Sequence, residues 1–217
     1  MTNHSAHSAY RLADALFLIG HDEFSGKPHG ATDRLEFALA GAAMAELIFE
    51  RRITIDNGNV VAIDRRLWQE PLTDLIVTEI LGREGAHPTR LWIRYLREHQ
   101  QIRERVGTRL VNNGVVRREQ SRGLRRTVRW PAVDPNQAAA PRVRLTALLM
   151  RHEQQQLDVE TLLLASLTGA VGVGQVAFDE QVTAKMRDCR KFLPPPLDGL
   201  VAAVVTALDA ATVAVRR

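Results

Sequence analysis

Residues 37–49 read FALAGAAMAELIF and are apolar on nearly every side, with Glu46 as the only charge. A helix without a polar face has to be enclosed by other elements. The segment therefore predicts a central, buried helix with the rest of the chain packed round it. Asp33 stands where it can cap that helix, which should run to about Arg51. The small residues Ala40, Gly41, Ala42 and Ala43 let neighbouring helices come close. Glu46 then needs an answer inside the protein, and two readings are open: a general acid or base with a raised pKa, or a structural ion pair with an arginine. The ion pair is favoured, because no second carboxylate or nucleophile stands at a recognisable spacing.

A shorter helix over residues 9–21, striped by Leu12, Ala15, Leu16 and Ile19, precedes it and ends in a polar loop from His21 to Pro28. Beyond it, ITID and NVVAI flank Asn57-Gly58, the pair preferred where both turn residues need positive φ, so residues 53–63 predict a β-hairpin. Residues 71–81 and 88–96 read as helices with proline in the first turn. A helix from about His99 to Val111 follows and stops at Asn113-Gly114. Residues 115–119 and 127–130 predict a second hairpin turning at Ser121-Arg122-Gly123. Further helices are expected at about 136–152, 159–168, 179–190 and 197–215. The fold class is mainly α: a single compact helical-bundle domain over residues 10–217, ringed by amphipathic helices. Two small hairpins (about 53–63 and 115–130) decorate it, and residues 1–9 form a disordered tail.

Residues 83–129 hold thirteen arginines, no lysine and four acids (Glu84, Glu98, Glu104 and Glu119), a net +9 in a chain whose total is +4. Everything else must sum to −5. A basic block on an otherwise acidic protein sets up a directed field whose natural partners are phosphate-bearing polyanions. A basic helix followed by a basic two-stranded wing outlines a winged-helix nucleic-acid reader. Arg103, Arg105 and Arg109 would then meet phosphate, with Arg117, Arg118, Arg122, Arg125, Arg126 and Arg129 along the backbone. The same layout suits an anionic membrane surface, where each nearby arginine contributes on the order of 1 kcal/mol. A solvated charged face is the third reading.

A single cysteine, Cys189, excludes an internal disulfide and fits a reducing compartment. Among Arg187, Asp188, Arg190 and Lys191 it reads as a structural or surface thiol in preference to an activated one. The start MTNHSAHSAY lacks the features of a secretory signal. Glu46 and Asp209 interrupt the two longest apolar stretches, so no spanning helix is expected. His21-Asp22-Glu23 invites a metal reading, but adjacent helix residues do not share a face and no second cluster completes a site. Gly172-Val173-Gly174 is half of a dinucleotide fingerprint, rejected because it lies between helices and not between a strand and a helix. No Walker loop, Ser/His/Asp pattern or paired-carboxylate signature is present. No enzyme activity, cofactor or metal is expected.

Three stretches together carry a resemblance. LADALFLIGHDEFSGKP (12–28), LEFALAGAAMAELIFERRITI with the Asn57-Gly58 hairpin, and IRERVGTRLVNNGVVRRE (102–119) stand in the order found in the Golgi phosphoprotein 3 family, which the chain resembles over nearly its whole length. Residues 200–215 are similar to that family's closing helix. The resemblance implies a mainly helical domain without enzyme activity. Eukaryotic members are peripheral membrane proteins that bind phosphatidylinositol 4-phosphate through one tryptophan and three arginines, and link it to the sorting of Golgi glycosyltransferases. Carried across, the tryptophan position falls on Ala31 and the arginine positions on Ala40, Gln100 and Arg103, so only Arg103 is retained. Arg34 and Arg97 are the nearby substitutes. Where eukaryotic members have an apolar hairpin tip, this chain has Ser121-Arg122-Gly123-Leu124-Arg125-Arg126, with only Leu124 to insert or to pack against another subunit.

The function expected is that of a non-enzymatic, cytoplasmic protein, peripheral at the inner membrane surface, which binds anionic phospholipid, phosphoinositide headgroups included. Arg103, Gln100, Arg97 and Arg34 are the expected headgroup residues. Arg117, Arg118, Arg122, Leu124, Arg125 and Arg126 are the expected contacts to an anionic surface. The alternatives are a winged-helix nucleic-acid binder, ranked below lipid as a partner, and a helical adaptor for acidic protein tails.

Overall fold

The computed structural model describes residues 10–67, 69–120 and 127–215. It opens with α1 (Leu12–Ile19) and α2 (Thr32–Phe49). All of α1 is buried, Asp14 included, as is α2 from Phe37 to Leu47, the latter because its surface is apolar on nearly every side. β1 (Ile53–Asp56) and β2 (Asn59–Ala62) pair antiparallel with Ile55 opposite Val60. Asn57 and Gly58 take φ of 48° and 76°, as a two-residue turn matching strand twist demands. After α3 (Pro71–Leu81), β3 (His87–Pro88) adds a third strand beside β2. The sequence did not suggest this strand, because two residues carry no alternation.

α4 (Thr89–Gln100) and α5 (Ile102–Asn112) come next. The break between them falls later than the expected one before His99. It rests on Gln101 alone, in the left-handed conformation at φ 49° and ψ 48°. β4 (Glu119–Gln120) pairs with β5 (Val128–Arg129), and an isolated bridge joins Val116 to Ala132. The second hairpin is therefore present, with fewer paired residues than expected. Its turn at Ser121-Arg122-Gly123, together with Leu124, Arg125 and Arg126, lies outside the described residues, as does the tail 1–9. The chain finishes with α6 (Pro135–Arg151), α7 (Val159–Ala170), α8 (Gly174–Ala177), α9 (Glu180–Cys189) and α10 (Pro195–Val215). Asp134, Asp158 and Asp179 accept backbone N–H bonds from α6, α7 and α9 at 2.8–2.9 Å, caps worth about 1 kcal/mol each.

α2 is the hub, touching α1, α3, α4, α5, α7 and α10. At Gly41 a Cβ would stand 2.6 Å from Val204 of α10, so this helix crossing does require the small residue. Against expectation, Pro195–Val213 is long and apolar enough to cross a membrane by length and composition, because its acids sit near the two ends. In the fold it behaves as a core helix, packed on α2, α4, α7 and β1 with Leu200, Val201, Val204 and Ala207 buried. Trp130 closes the bundle beside α5, its ring meeting Phe17 edge-on and covering Gly107. Cys189 is buried, which pushes its thiol up to about 11, the condition of a structural cysteine and not a reactive one.

Candidate functional site

α2 begins two residues earlier than a cap at Asp33 would place it. Ala31 is its N-cap and offers no side-chain hydrogen bond, while Asp33 lies inside the first turn. No side chain caps the start of this long helix, although the Arg34 N–H already donates to the Ala31 carbonyl at 3.1 Å, and the helix dipole adds partial positive charge there. A groove of about 540 Å³ adjoins this end, between α2, α4 and the far end of α10, lined by Arg34, Phe37, Arg94, Arg97 and Leu208.

Arg97 lies over the Phe37 ring, 4.8 Å from its centre, and reaches Asp33 at 3.4 Å and Glu36 at 3.7 Å. Arg103, carried by α5, reaches the same Glu36 at 3.4 Å. These separations are long for charge-assisted hydrogen bonds, so two half-buried guanidinia share one carboxylate loosely. Burial raises the Glu36 carboxyl above its usual value in spite of both arginines. Arg34 is exposed and has no ion pair among the described residues. Its guanidinium passes over Gly172, where a Cβ would stand 3.3 Å from the nitrogen.

Arg34, Arg97 and Arg103 are therefore gathered at one end of α2. Gln100 is not. Its amide donates to Glu79 at 3.3 Å and to the Tyr95 hydroxyl at 3.1 Å, while its side-chain carbonyl accepts from Arg105. Ala31 lines the groove, whereas Ala40 is fully buried in α2. Glu36 and Phe37 were not among the expected site residues. Their signal was there: Asp33, Glu36 and Phe37 follow each other at helical spacing where α2 first departs from an all-apolar surface.

The model of the Golgi phosphoprotein 3 (GPP34) family matches residues 12–211, from the first residue of α1 into the last turns of α10. The chain belongs to that family. No curated protein matches it.

In this Golgi phosphoprotein 3 family member the arginine block is folded against the acids outside it. Arg109 is largely buried and donates to Asp14 at 2.9 Å, to Glu70 at 3.0 Å and to Glu46 at 3.4 Å. Arg11 extends the cluster through Glu46 at 3.0 Å and through Glu50. Glu46 also accepts the N–H of Ala13 at 2.8 Å, so it is an ion-pair carboxylate that ties α1, α2 and α5 together. Asp14, Glu70 and Arg109 line a second cleft of about 950 Å³, rimmed by Tyr10, Thr108 and Asn112.

Other arginines are also engaged. Arg105 donates to the Gln100 backbone carbonyl at 2.7 Å, Arg118 pairs with Glu104 at 2.6 Å, and Arg83 stacks 4.0 Å above Tyr95. Every arginine of α5 thus has a partner within the chain, and α5 itself packs on α1, α2 and α4. It does not present the free basic face of a groove-reading helix. Arg90, Arg117 and Arg129 carry no ion pair among the described residues. Arg117 and Arg118 stand at the base of the second hairpin.

His21, Asp22 and Glu23 diverge. His21 Nδ1 is 2.8 Å from the Phe17 carbonyl, and burial takes the imidazole down to about 3. Asp22 accepts the Ser25 N–H at 2.7 Å, and Glu23 pairs with Arg142 at 2.9 Å. Among the described residues no three His, Cys, Asp or Glu side chains are arranged to hold a metal.

Proposed function

We propose that this protein is a non-enzymatic peripheral membrane protein whose groove at the start of α2 takes the phosphate of an anionic phospholipid, of the phosphoinositide type. One observation carries the reading: Arg97 and Arg103 converge from separate helices on Glu36, beside an uncapped helix start and the exposed Arg34. A phosphate monoester has the charge to replace the Glu36 carboxylate between the guanidinia, and it can accept the first N–H groups of α2 as well. Phe37 beneath Arg97 steadies the guanidinium plane. Two converging guanidinia and the helix start attract a doubly charged phosphate monoester more strongly than a singly charged phosphodiester, which offsets the repulsion from Asp33 and Glu98 at the rim. The hairpin arginines Arg117 and Arg118, continued by Arg122, Arg125 and Arg126, add attraction to the surrounding anionic surface. Family membership supports the reading, and with it a place on the cytoplasmic surface of a membrane.

Co-sedimentation with phosphatidylcholine vesicles tests it. Vesicles doped with phosphatidylinositol 4-phosphate should retain the protein at low salt, and Arg97→Glu with Arg103→Glu should release it. Equal recovery on neutral and doped vesicles would overturn the proposal. Displacement by short duplex DNA at matched salt would bring back the winged-helix reading.

A further inference from the structure

Phe24 is the most exposed large apolar side chain among the described residues, 72% open to solvent. A single exposed phenylalanine is ordinary on a protein surface. Its mounting is what sets it apart. The Lys27 carbonyl accepts the Asp22 N–H at 2.8 Å, and the Asp22 carbonyl accepts the Gly26 N–H at 2.8 Å. Outside the loop, the Glu23 carbonyl accepts from Ala132 and the Gly26 carbonyl from Trp130, both at 3.0 Å. Gly26 takes φ of 64°, and a Cβ there would lie 2.1 Å from the Pro131 nitrogen, an approach open to glycine alone. The backbone is held on both sides of Phe24 and the ring is left in water.

The loop links two basic regions. At one end the His29 N–H donates to the Gly20 carbonyl at 2.8 Å, and the chain passes through Ala31 into α2 and the groove of Arg34 and Arg97. At the other, its partners Trp130 and Ala132 lead back into the hairpin. There the Arg117 N–H donates to the Pro131 carbonyl at 2.8 Å, and the Arg118 guanidinium lies 5.8 Å from the Trp130 ring centre. Lys27, in the loop itself, is exposed.

We infer that Phe24 is an apolar anchor which enters the interfacial layer of an anionic bilayer when these basic regions dock on it. The inference rests on the membrane reading above. Phenylalanine, tryptophan and leucine form the buried side of interfacial segments, and surface binding combines apolar burial with attraction to anionic lipid. Charge attraction weakens as salt rises, so Phe24 supplies the part of binding that salt does not screen. The fixed backbone lowers the ordering cost of insertion.

Phe24→Trp and Phe24→Ser test this in the full chain, on phosphatidylcholine vesicles containing phosphatidylserine and phosphatidylinositol 4-phosphate. The ring is exposed, so neither change disturbs the core. Relative to the parent protein, Phe24→Trp should gain blue-shifted emission that bilayer-embedded brominated lipid quenches. Phe24→Ser should lose roughly tenfold in vesicle affinity, the size of a largely buried phenylalanine, with the loss persisting at raised salt. If the parent protein binds vesicles while the added tryptophan stays unshifted and Phe24→Ser binds equally well, the anchor is refuted and the headgroup reading stands. If the parent protein binds no anionic vesicle, both fall.

Discussion

Arg109 and Asp14 are 95 residues apart in sequence and 2.9 Å apart in space. Their contact joins α5 to α1, and Glu46 and Glu70 bring α2 and α3 to the same guanidinium. Four helices thus meet on one charge. Burial by itself would lower the Arg109 pKa, but Glu46, Asp14 and Glu70 more than offset it and raise the group further.

Removing Arg109 should be among the most damaging single changes to the fold. Arg109→Ala leaves three carboxylates facing one another with little water, and breaking one side of a buried pair typically costs about 3–5 kcal/mol. Urea unfolding near neutral pH should register that loss, with Arg109→Lys falling between. A variant within about 1 kcal/mol of the parent would mean that water answers these carboxylates.

Asp14 should behave in the opposite sense. Burial outweighs Arg109 and pushes its carboxyl up to about 6, against roughly 3.9 in an unfolded chain. The folded state therefore holds this proton more tightly. Asp14 favours folding in full below about pH 4 and loses that contribution as pH rises through about 6, on the order of 3 kcal/mol. Asp14→Asn should remove this part of the slope, so that the parent loses stability relative to the variant between about pH 4.5 and 7. Parallel pH profiles would show that Asp14 does not titrate in this range.

Gly107 is held by packing and not by its backbone conformation. A Cβ there would meet the Trp130 ring at 2.7–2.8 Å. Gly107→Ala should cost about 1–3 kcal/mol through overpacking, although alanine is the better helix former. Trp130→Leu in the same chain should recover part of that loss if the ring is the obstacle.

Glu36 should act as an internal competitor for the proposed phosphate. Glu36→Gln removes the carboxylate that Arg97 and Arg103 share. Pairs this long contribute on the scale of surface ion pairs, about 0.2–1 kcal/mol, so affinity for vesicles carrying phosphatidylinositol 4-phosphate should rise by up to roughly fivefold. Weaker binding by Glu36→Gln would instead mark Glu36 as the group that aligns the two arginines.

Much of the architecture was legible residue by residue. The all-apolar run 37–49 could only be a buried hub, and Asn57-Gly58 could only be a tight hairpin turn. The helices expected at about 159–168 and 179–190 are present as α7 and α9. These features rest on contacts within a few residues, which spacing reveals. Where the reading slipped, a neighbour decided. Asp33, which has the chemistry of a cap, pairs with Arg97 inside the first turn. Gln100, sequence neighbour to the groove arginines, points to Glu79 and Tyr95.

The arginine block shows the same division. The sequence by itself determined how much charge there is, +9 against −5, and which helices and hairpins carry it. It also determined that Glu46, set in an apolar helix, would need a positive partner. Only the tertiary structure decided that Arg11 and Arg109 both answer Glu46, that Arg97 and Arg103 converge on Glu36, and that Arg34, Arg90, Arg117 and Arg129 are left without an ion pair among the described residues. The reason is physical. A charge count is local and additive, whereas the strength of each charge depends on burial and on partners brought from as far as 95 residues away, and those distances exist only once the helices have packed.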